Sequence, residues 1–137
     1  MSDSAITFVV RGKPEPKGST RAFNSPGRRF PVVTSDNPKA KGWAATVALV
    51  AQQHAPPEPW DGPINIEIHF ELQRPKSAPK RVVLPTKKPD LDKLIRCVLD
   101  ALTNVFWLDD AQVTDVWARK KFGAPGATIT VWRAGNE

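Results

Sequence analysis

Strict alternation of apolar and polar residues predicts two β-strands. The clearer one is residues 64–72, INIEIHFEL, in which every second residue is isoleucine, phenylalanine or leucine. Successive side chains of a strand point to opposite faces of a sheet, so these residues are expected to form one buried face. Ile6, Phe8 and Val10 show the same pattern near the start of the chain and predict a first strand.

Two further strands are predicted near the end of the chain, at residues 112–122 and 127–133. The glycine- and proline-containing sequence GAPGA lies between them, and a hairpin across it is one way to join them.

Apolar residues at helical spacing predict two helices. The first lies within residues 34–55, with Ser35 or Asp36 as its capping residue and Pro38 in its first turn. The side of this helix that is expected to be buried carries Trp43, Val47, Val50, Ala51 and His54. His54 has no nearby cysteine or second histidine in the sequence, which favours a place at the helix end or surface over a metal ligand.

The second helix follows from apolar residues spaced by three and four between Leu91 and Leu102. Pro89 disfavours helical backbone at the residue before it, so the helix is expected to begin near residues 90–92. Asp92 is then placed as an N-cap or first-turn acid, and capping alone would explain its presence.

The chain has 137 residues, which predicts a single domain over residues 1–137. Its 14 prolines predict long loops between few regular elements. Two of these loops, at residues 11–30 and 73–90, are rich in lysine and arginine. With 20 Lys and Arg against 14 Asp and Glu, the net charge is +6, which suits a polyanionic partner but also fits a merely soluble basic protein.

The chain contains one cysteine, Cys97, which excludes an intrachain disulfide and a cysteine-rich zinc site. Its place in the second helix predicts a packing residue or a half-exposed thiol. No apolar run is long enough to span a bilayer, and the first ten residues lack the pattern of a secretory signal. A cytoplasmic location, with no membrane partner, is therefore expected.

Against this basic background, residues 88–113, KPDLDKLIRCVLDALTNVFWLDDAQV, concentrate negative charge. The aspartates of this acidic segment are Asp90, Asp92, Asp100, Asp109 and Asp110. In extended backbone, residues two apart point the same way, so Asp90 and Asp92 could converge on one point. The helix reverses the chain and could bring Asp109 and Asp110 back toward that point.

Converging carboxylates repel one another, and a divalent cation removes the conflict. Carboxylate oxygens suit Mg²⁺, which commonly keeps water and substrate phosphate among its ligands and supports phosphodiester hydrolysis. Surface aspartates in turns are also common, so spacing alone leaves capping and turn roles open. The two basic loops strengthen the hydrolytic interpretation, because they would hold a polyanion over the acidic segment.

Arg96 lies one helical turn from both Asp92 and Asp100. It could form an ordinary ion pair with either of them, with Asp100 as its structural partner. It could also contact the scissile phosphate from the side of the helix that carries Asp92.

The combination of PDLD, DAL and WLDDAQ over residues 89–112 resembles the signature of RusA-type Holliday junction resolvases, endonucleases often carried by phages and prophages. The basic loop GKPEPKGSTR and the order of the elements are also similar. The resemblance implies an α+β fold with a mixed β-sheet and two main helices, and a homodimer. It implies Mg²⁺-dependent (Mn²⁺ is possible) paired nicking of branched double-stranded DNA, in recombination and repair.

The resemblance also implies roles for individual residues. The predicted metal ligands are Asp90, Asp92, Asp110 and Asp109, and the predicted catalytic residues are Asp90, Asp92, Asp110 and Arg96. The predicted DNA-binding residues are Lys13, Lys17, Arg21, Lys87, Lys88 and Lys93.

The chain departs from the family signature at two positions. Lys93 replaces an asparagine, and Arg96 replaces the functional lysine one turn later. Arginine keeps the charge and can grip phosphate with two N–H groups, but it does not release a proton near neutral pH. Charge stabilisation would need only Arg96, whereas a proton shuttle would need Lys93 as a substitute or would leave activity low.

Two other functions remain open from the sequence. A DNA-binding module without chemistry would show steep salt dependence but no metal-stimulated cutting. A small interaction protein would use its basic face to bind an acidic protein, and DNA would compete for that face.

Overall fold

A computed structural model describes residues 5–18, 20–23, 32–35 and 37–135 of the chain. Side chains within 20–23 and 32–35 are not described, so the predicted DNA-binding side chain of Arg21 and the predicted cap Asp36 lie outside the described part. The strands are β1 (Ile6–Arg11), β2 (Thr20–Phe23), β3 (Val32–Ser35), β4 (Ile64–Leu72), β5 (Val113–Phe122) and β6 (Gly126–Arg133). The α-helices are α1 (Lys39–His54) and α2 (Leu91–Leu102), and a short 3-10 helix spans Asp110–Gln112.

The main sheet has four strands in the order β1-β6-β4-β5. β6 pairs antiparallel with both β1 and β4, whereas β5 pairs parallel with β4, so the sheet is mixed. The predicted α+β fold with a mixed sheet and two helices in a small single domain is therefore confirmed.

The possible hairpin between the last two strands is wrong, because β4 lies between β5 and β6 and pairs with each of them. The connection crosses the end of β4, where the amide N–H of Gly123 donates to the carbonyl oxygen of Leu72 at 3.0 Å. A turn signal between two strands does not exclude a third strand that enters between them. β4 lies at the centre of the sheet, where both edges of the strand are hydrogen-bonded to neighbouring strands and its apolar face is buried.

Three strands of the sheet, β1, β4 and β6, bury the face that their alternation predicts, whereas β5 leaves residues of both its faces exposed. Ile64, Ile66, Ile68 and Phe70 of β4 are at most 1% exposed, and Phe8 and Val10 of β1 join them in the core. The core side chains of α1 and α2 belong to the same cluster, and the two helices pack against each other. This arrangement leaves the other face of the sheet, with Thr7, Glu67 and Trp117 in register, outside the core.

α1 begins later than the sequence pattern predicts. Ser35 belongs to β3 rather than to a helix cap, and Pro38 is itself the N-cap residue, with no side-chain capping bond. Trp43, Val47 and Ala51 are buried as expected, and Val50 is partly buried.

His54, the last residue assigned to the buried face of this helix, is not buried. His54 is exposed, but its ring stacks on Phe8 at a centroid distance of 5.6 Å. A surface position at the helix end, as favoured from the sequence, is confirmed.

The basic stretch 11–30 is not entirely loop. Its first residue ends β1, and residues 20–23 form β2, which pairs antiparallel with β3 in a separate two-stranded sheet. Among the described helices, none combines the length and apolar character that crossing a membrane requires.

Candidate active site

One side of α2 carries the residues on which the predicted chemistry depends. Asp92, Arg96 and Asp100 are spaced four residues apart, so they form a stripe along the helix surface, and all three are exposed. The opposite side is fixed in the core by Leu94 and Val98, both 0% exposed. The amphipathic pattern that makes this segment helical therefore also determines which charged side chains face solvent.

The start of α2 decides between the two roles predicted for Asp92. The N-cap is Asp90, in extended conformation, and Leu91 is the first helical residue. Asp92 is thus a first-turn acid and not the cap, which suits its charge at the positive end of the helix. The rule that side chains two apart point the same way requires extended backbone throughout, and it does not apply across Leu91.

The carboxylate of Asp90 makes no capping bond to α2. Aspartate at this position commonly accepts from the second or third amide of the helix. The Asp90 side chain is exposed and does not cap the helix.

Lys120 fixes the segment that leads into Asp90. Its Nζ donates to the carbonyl oxygens of Lys87 at 2.8 Å and Pro89 at 2.7 Å. On β5, Lys120 lies in register with the buried Phe70, on the face that the core occupies. Sequence reasoning missed this residue. The signal was a lysine that interrupts the inward-facing series of a strand, a position where burial requires a polar partner.

The sequence DDAQ forms the 3-10 helix and its cap. Asp109 Oδ1 accepts from the backbone N–H of Ala111 at 2.9 Å, and Gln112 Oε1 accepts from the N–H of Asp109 at 3.0 Å. These reciprocal bonds form a capping box. One oxygen of Asp109 is therefore engaged in holding the turn.

Gln112 also fixes this turn to a distant loop. Its Nε2 donates to the carbonyl oxygens of Trp60 and Gly62, each at 3.0 Å. The preceding residues Phe106 and Trp107 are 0% exposed and anchor the segment in the core. The position of the two aspartates thus depends on a buried aromatic pair on one side and a hydrogen-bonded glutamine on the other.

The turn returns to α2 at Arg96. Arg96 Nη1 donates to Asp110 Oδ2 at 2.6 Å, across 14 positions of sequence. The same nitrogen lies 3.6 Å from Asp100 Oδ1, and Asp100 Oδ2 lies 3.1 Å from Lys17 Nζ. Lys17, Asp100, Arg96 and Asp110 therefore form a row of alternating charges.

The predicted return of Asp109 and Asp110 toward the first acidic pair is observed in part. The helix and the following turn do bring the second acidic pair back to the helix that follows the first pair. Asp110 meets α2 at Arg96, one turn from Asp92 on the same stripe. The predicted ion pair between Arg96 and Asp100 is present, and Asp110 is a second, closer partner that the sequence did not indicate.

The predicted metal ligands are not gathered into a cluster. Within residues 5–18, 20–23, 32–35 and 37–135, no group of three His, Cys, Asp or Glu side chains is placed to hold an ion. The donor chemistry of Asp90, Asp92 and Asp110 suits Mg²⁺, but one oxygen of Asp110 is bonded to Arg96.

A cleft of about 290 Å³ opens at the C-terminal end of α2 beside these acids. It is lined by Asp100, Thr103, Asn104, Leu108, Asp109 and Asp110. Three carboxylates thus border open space next to the charge row.

Three of the predicted DNA-binding lysines lie at the start of α2, Lys87 and Lys88 just before it and Lys93 in its first turn. The backbone N–H of Lys17 donates to the carbonyl oxygen of Lys93 at 3.0 Å, which docks the first basic loop on the helix. Lys13 of that loop is exposed, as are Lys87 and Lys88 just before Asp90. Each of the two predicted basic loops therefore reaches the end of α2 that carries the first aspartates, the first through Lys17 and the second by leading into the helix.

Cys97 faces away from the exposed stripe and is buried, with 2% exposure. Burial, with a further contribution from the Asp100 charge, raises the pKa of its thiol from 9.0 to about 11. The thiol is therefore protonated near neutral pH and acts as a packing residue, one of the two roles predicted for it.

Comparison with known sequences defines the class of protein. Residues 12–132 match the family Endodeoxyribonuclease RusA, which covers nearly the whole chain. The chain belongs to the RusA endodeoxyribonuclease family, and the resemblance seen in its acidic segment is confirmed.

One curated relative is similar to most of the chain. The chain is 34% identical over 125 residues to "Uncharacterized protein YqaN" of Bacillus subtilis (strain 168), across 84% of this chain and 86% of the relative.

Proposed function

We propose that the protein is a Mg²⁺-dependent endonuclease that resolves four-way DNA junctions by paired nicking, in recombination and repair. The observation that carries the proposal is the contact of Asp110 with Arg96, which places the DDAQ turn on the Asp92 stripe of α2. In a chain of the RusA endodeoxyribonuclease family, this contact joins the two halves of the acidic segment.

Asp90, Asp92 and Asp110 would supply the carboxylate oxygens for the ion, with Asp109 as a further acid beside them. When bound, Mg²⁺ supplies positive charge that stabilises the negative charge developing during phosphodiester hydrolysis. Binding requires Asp110 to exchange at least part of its bond with Arg96 for the ion.

Arg96 would act on the substrate through its charge and its N–H donors. A guanidinium group stabilises a phosphate by its charge rather than by moving a proton. The exposed Lys13, Lys87 and Lys88 would hold the DNA backbone close to Asp90 and Asp92.

Paired nicking requires two sites of opposite orientation, and a twofold-symmetric homodimer provides them. We therefore propose a homodimer, which light scattering of the purified chain would test. A mass equal to one chain at working concentration, together with full junction cleavage, would contradict it. The proposed DNA substrate agrees with the cytoplasmic location predicted from the sequence.

Junction cleavage by wild type and by Asp92→Asn, with and without Mg²⁺, tests the function. Wild type should nick a synthetic four-way junction only with the ion. The variant should keep junction binding and lose cleavage by about 100-fold or more, equivalent to about 3 kcal/mol. Asp61→Asn is the matched control, because that carboxylate is 93% exposed and pairs at 3.8 Å with Arg133 on the last strand.

The possible outcomes distinguish junction selectivity, nuclease activity and simple DNA binding. Equal cutting of junction and linear duplex would reject junction selectivity but keep the nuclease. Salt-sensitive binding without cleavage under any divalent ion would reject the enzyme and leave the DNA-binding module.

A further inference from the structure

We propose that Arg96 is an internal counterion of Asp110 that competes directly with a divalent cation for this carboxylate. The inference rests on the proposed metal dependence, but it concerns a contact between two side chains of the chain itself. It assigns to Arg96 a positioning role in the free protein, in addition to any contact with phosphate.

The geometry of the contact is the first argument. At 2.6 Å, the bond between Arg96 Nη1 and Asp110 Oδ2 is at the short end for a charge-assisted N–H···O bond. A carboxylate oxygen that accepts such a bond has less electron density and less room to offer a cation. The two side chains are 44% and 35% exposed, so solvent weakens the pair and allows it to exchange.

The positive and negative charges of the row formed by Lys17, Asp100, Arg96 and Asp110 balance one another. The two positive charges of Lys17 and Arg96 balance the two negative charges of Asp100 and Asp110, with Arg96 shared between both carboxylates. Carboxylate repulsion between Asp100 and Asp110 is therefore relieved by side chains of the chain itself. This agrees with the finding that no ready three-ligand cluster exists among the described residues.

Arg96 has a second partner to remain with when it gives up Asp110. Asp100 Oδ1 lies 3.6 Å from the same nitrogen, one helical turn along α2. Arg96 can give up Asp110 while remaining paired on its own helix, with its other N–H groups open to a phosphate. Exchange of Asp110 between guanidinium and cation thus needs a side-chain rotation and no change of fold.

Mn²⁺ titration of the DNA-free protein tests the proposal, with unbound Mn²⁺ measured by electron paramagnetic resonance. Arg96→Gln should bind Mn²⁺ about three- to tenfold more tightly than wild type, because an exposed ion pair of ordinary strength no longer competes. Arg119→Gln is the matched control. It removes the same charge from an exposed residue of β5 that lies in register with His69, on the sheet face opposite the core.

A double-mutant cycle gives a readout independent of metal affinity. Without metal, the Tm change of the double variant Arg96→Gln/Asp110→Asn should differ by about 1–4 °C from the sum of the two single changes. The two substitutions remove opposite ends of one interaction. Saturating Mn²⁺ should remove this coupling, since the ion then occupies Asp110.

Each result decides the proposal. Equal or weaker Mn²⁺ binding by Arg96→Gln, beside measurable wild-type binding, would overturn the competition while leaving the metal-dependent nuclease intact. Additive Tm changes without metal would also overturn it. Absence of Mn²⁺ binding in wild type and in both arginine variants would overturn the proposed metal dependence, and the competition with it.

Discussion

Lys120 Nζ lies 2.7 Å from the carbonyl oxygen of Pro89, the residue directly before Asp90. A strand that faces the core thus fixes the entry to the candidate active site by a charged side chain. The second bond, to the carbonyl oxygen of Lys87, fixes the same segment at a second point.

Lys120→Met should lower both stability and cleavage, because it retains the apolar stem and loses the two bonds. We expect a loss of about 1–2 kcal/mol in the free energy of unfolding and a larger relative loss of kcat than of junction affinity. Urea unfolding and single-turnover cleavage measure the two effects. Lys121→Met, on the opposite face of β5, is the control; an equal effect there would remove the special role of Lys120.

Gln112→Ala should release the DDAQ turn from the loop at Trp60 and Gly62. The Gln112 side chain makes four described hydrogen bonds, two through Nε2 and two through Oε1, so a loss of about 1–3 kcal/mol in the free energy of unfolding is expected. Thermal unfolding measures it, with the exposed Gln73→Ala as the control. Unchanged stability would show that the turn is held by its buried aromatic residues alone.

Trp107→Ala should be among the most destabilising single changes in the chain. Its ring is 0% exposed, and truncation of such a core aromatic residue costs about 3–5 kcal/mol. Trp117→Ala removes the same side chain from a site that is 51% exposed and should cost about 1 kcal/mol or less. Similar losses in the two variants would contradict the assigned burial.

The Cys97 thiol should make stability fall as the pH rises above 9. The folded chain holds this proton with a pKa of about 11, whereas the ordinary value is 9.0, so high pH favours the unfolded chain. The stability contributed by the raised pKa is complete below pH 9 and is lost as the pH rises through 11.

Urea unfolding at pH 8 and pH 10.5 measures this effect. Wild type should lose more free energy of unfolding between the two pH values than Cys97→Ala, in which the other titrating groups remain. Parallel losses in the two proteins would show that the thiol is ionised or accessible in the folded state.

The local elements follow from the sequence because their patterns are strong and self-contained. The alternation of residues 64–72 predicted β4 at its full length, and the apolar spacing from Leu91 predicted α2. The acidic segment also indicated the family through its own residues, because a motif of this kind is read without knowledge of its contacts. Weaker local signals failed at Ser35, where a potential cap is used by a strand instead.

Contacts between distant segments were decided by the tertiary structure alone. The sequence placed Arg96 beside Asp92 and Asp100, since a helix fixes neighbours four residues apart. It could not show that Asp110 would be the closest partner, because that depends on how the buried Phe106 and Trp107 orient the following turn.

The same reason explains the missed hairpin and the missed Lys120. A turn signal fixes the reversal of the chain but not which strand lies beside another, and β4 entered between β5 and β6. Alternation shows that Lys120 points inward, while its carbonyl partners belong to a loop 31 and 33 positions away. Hydrophobic periodicity is a local property of the chain, whereas the pairing of strands and charges is a property of the packed fold.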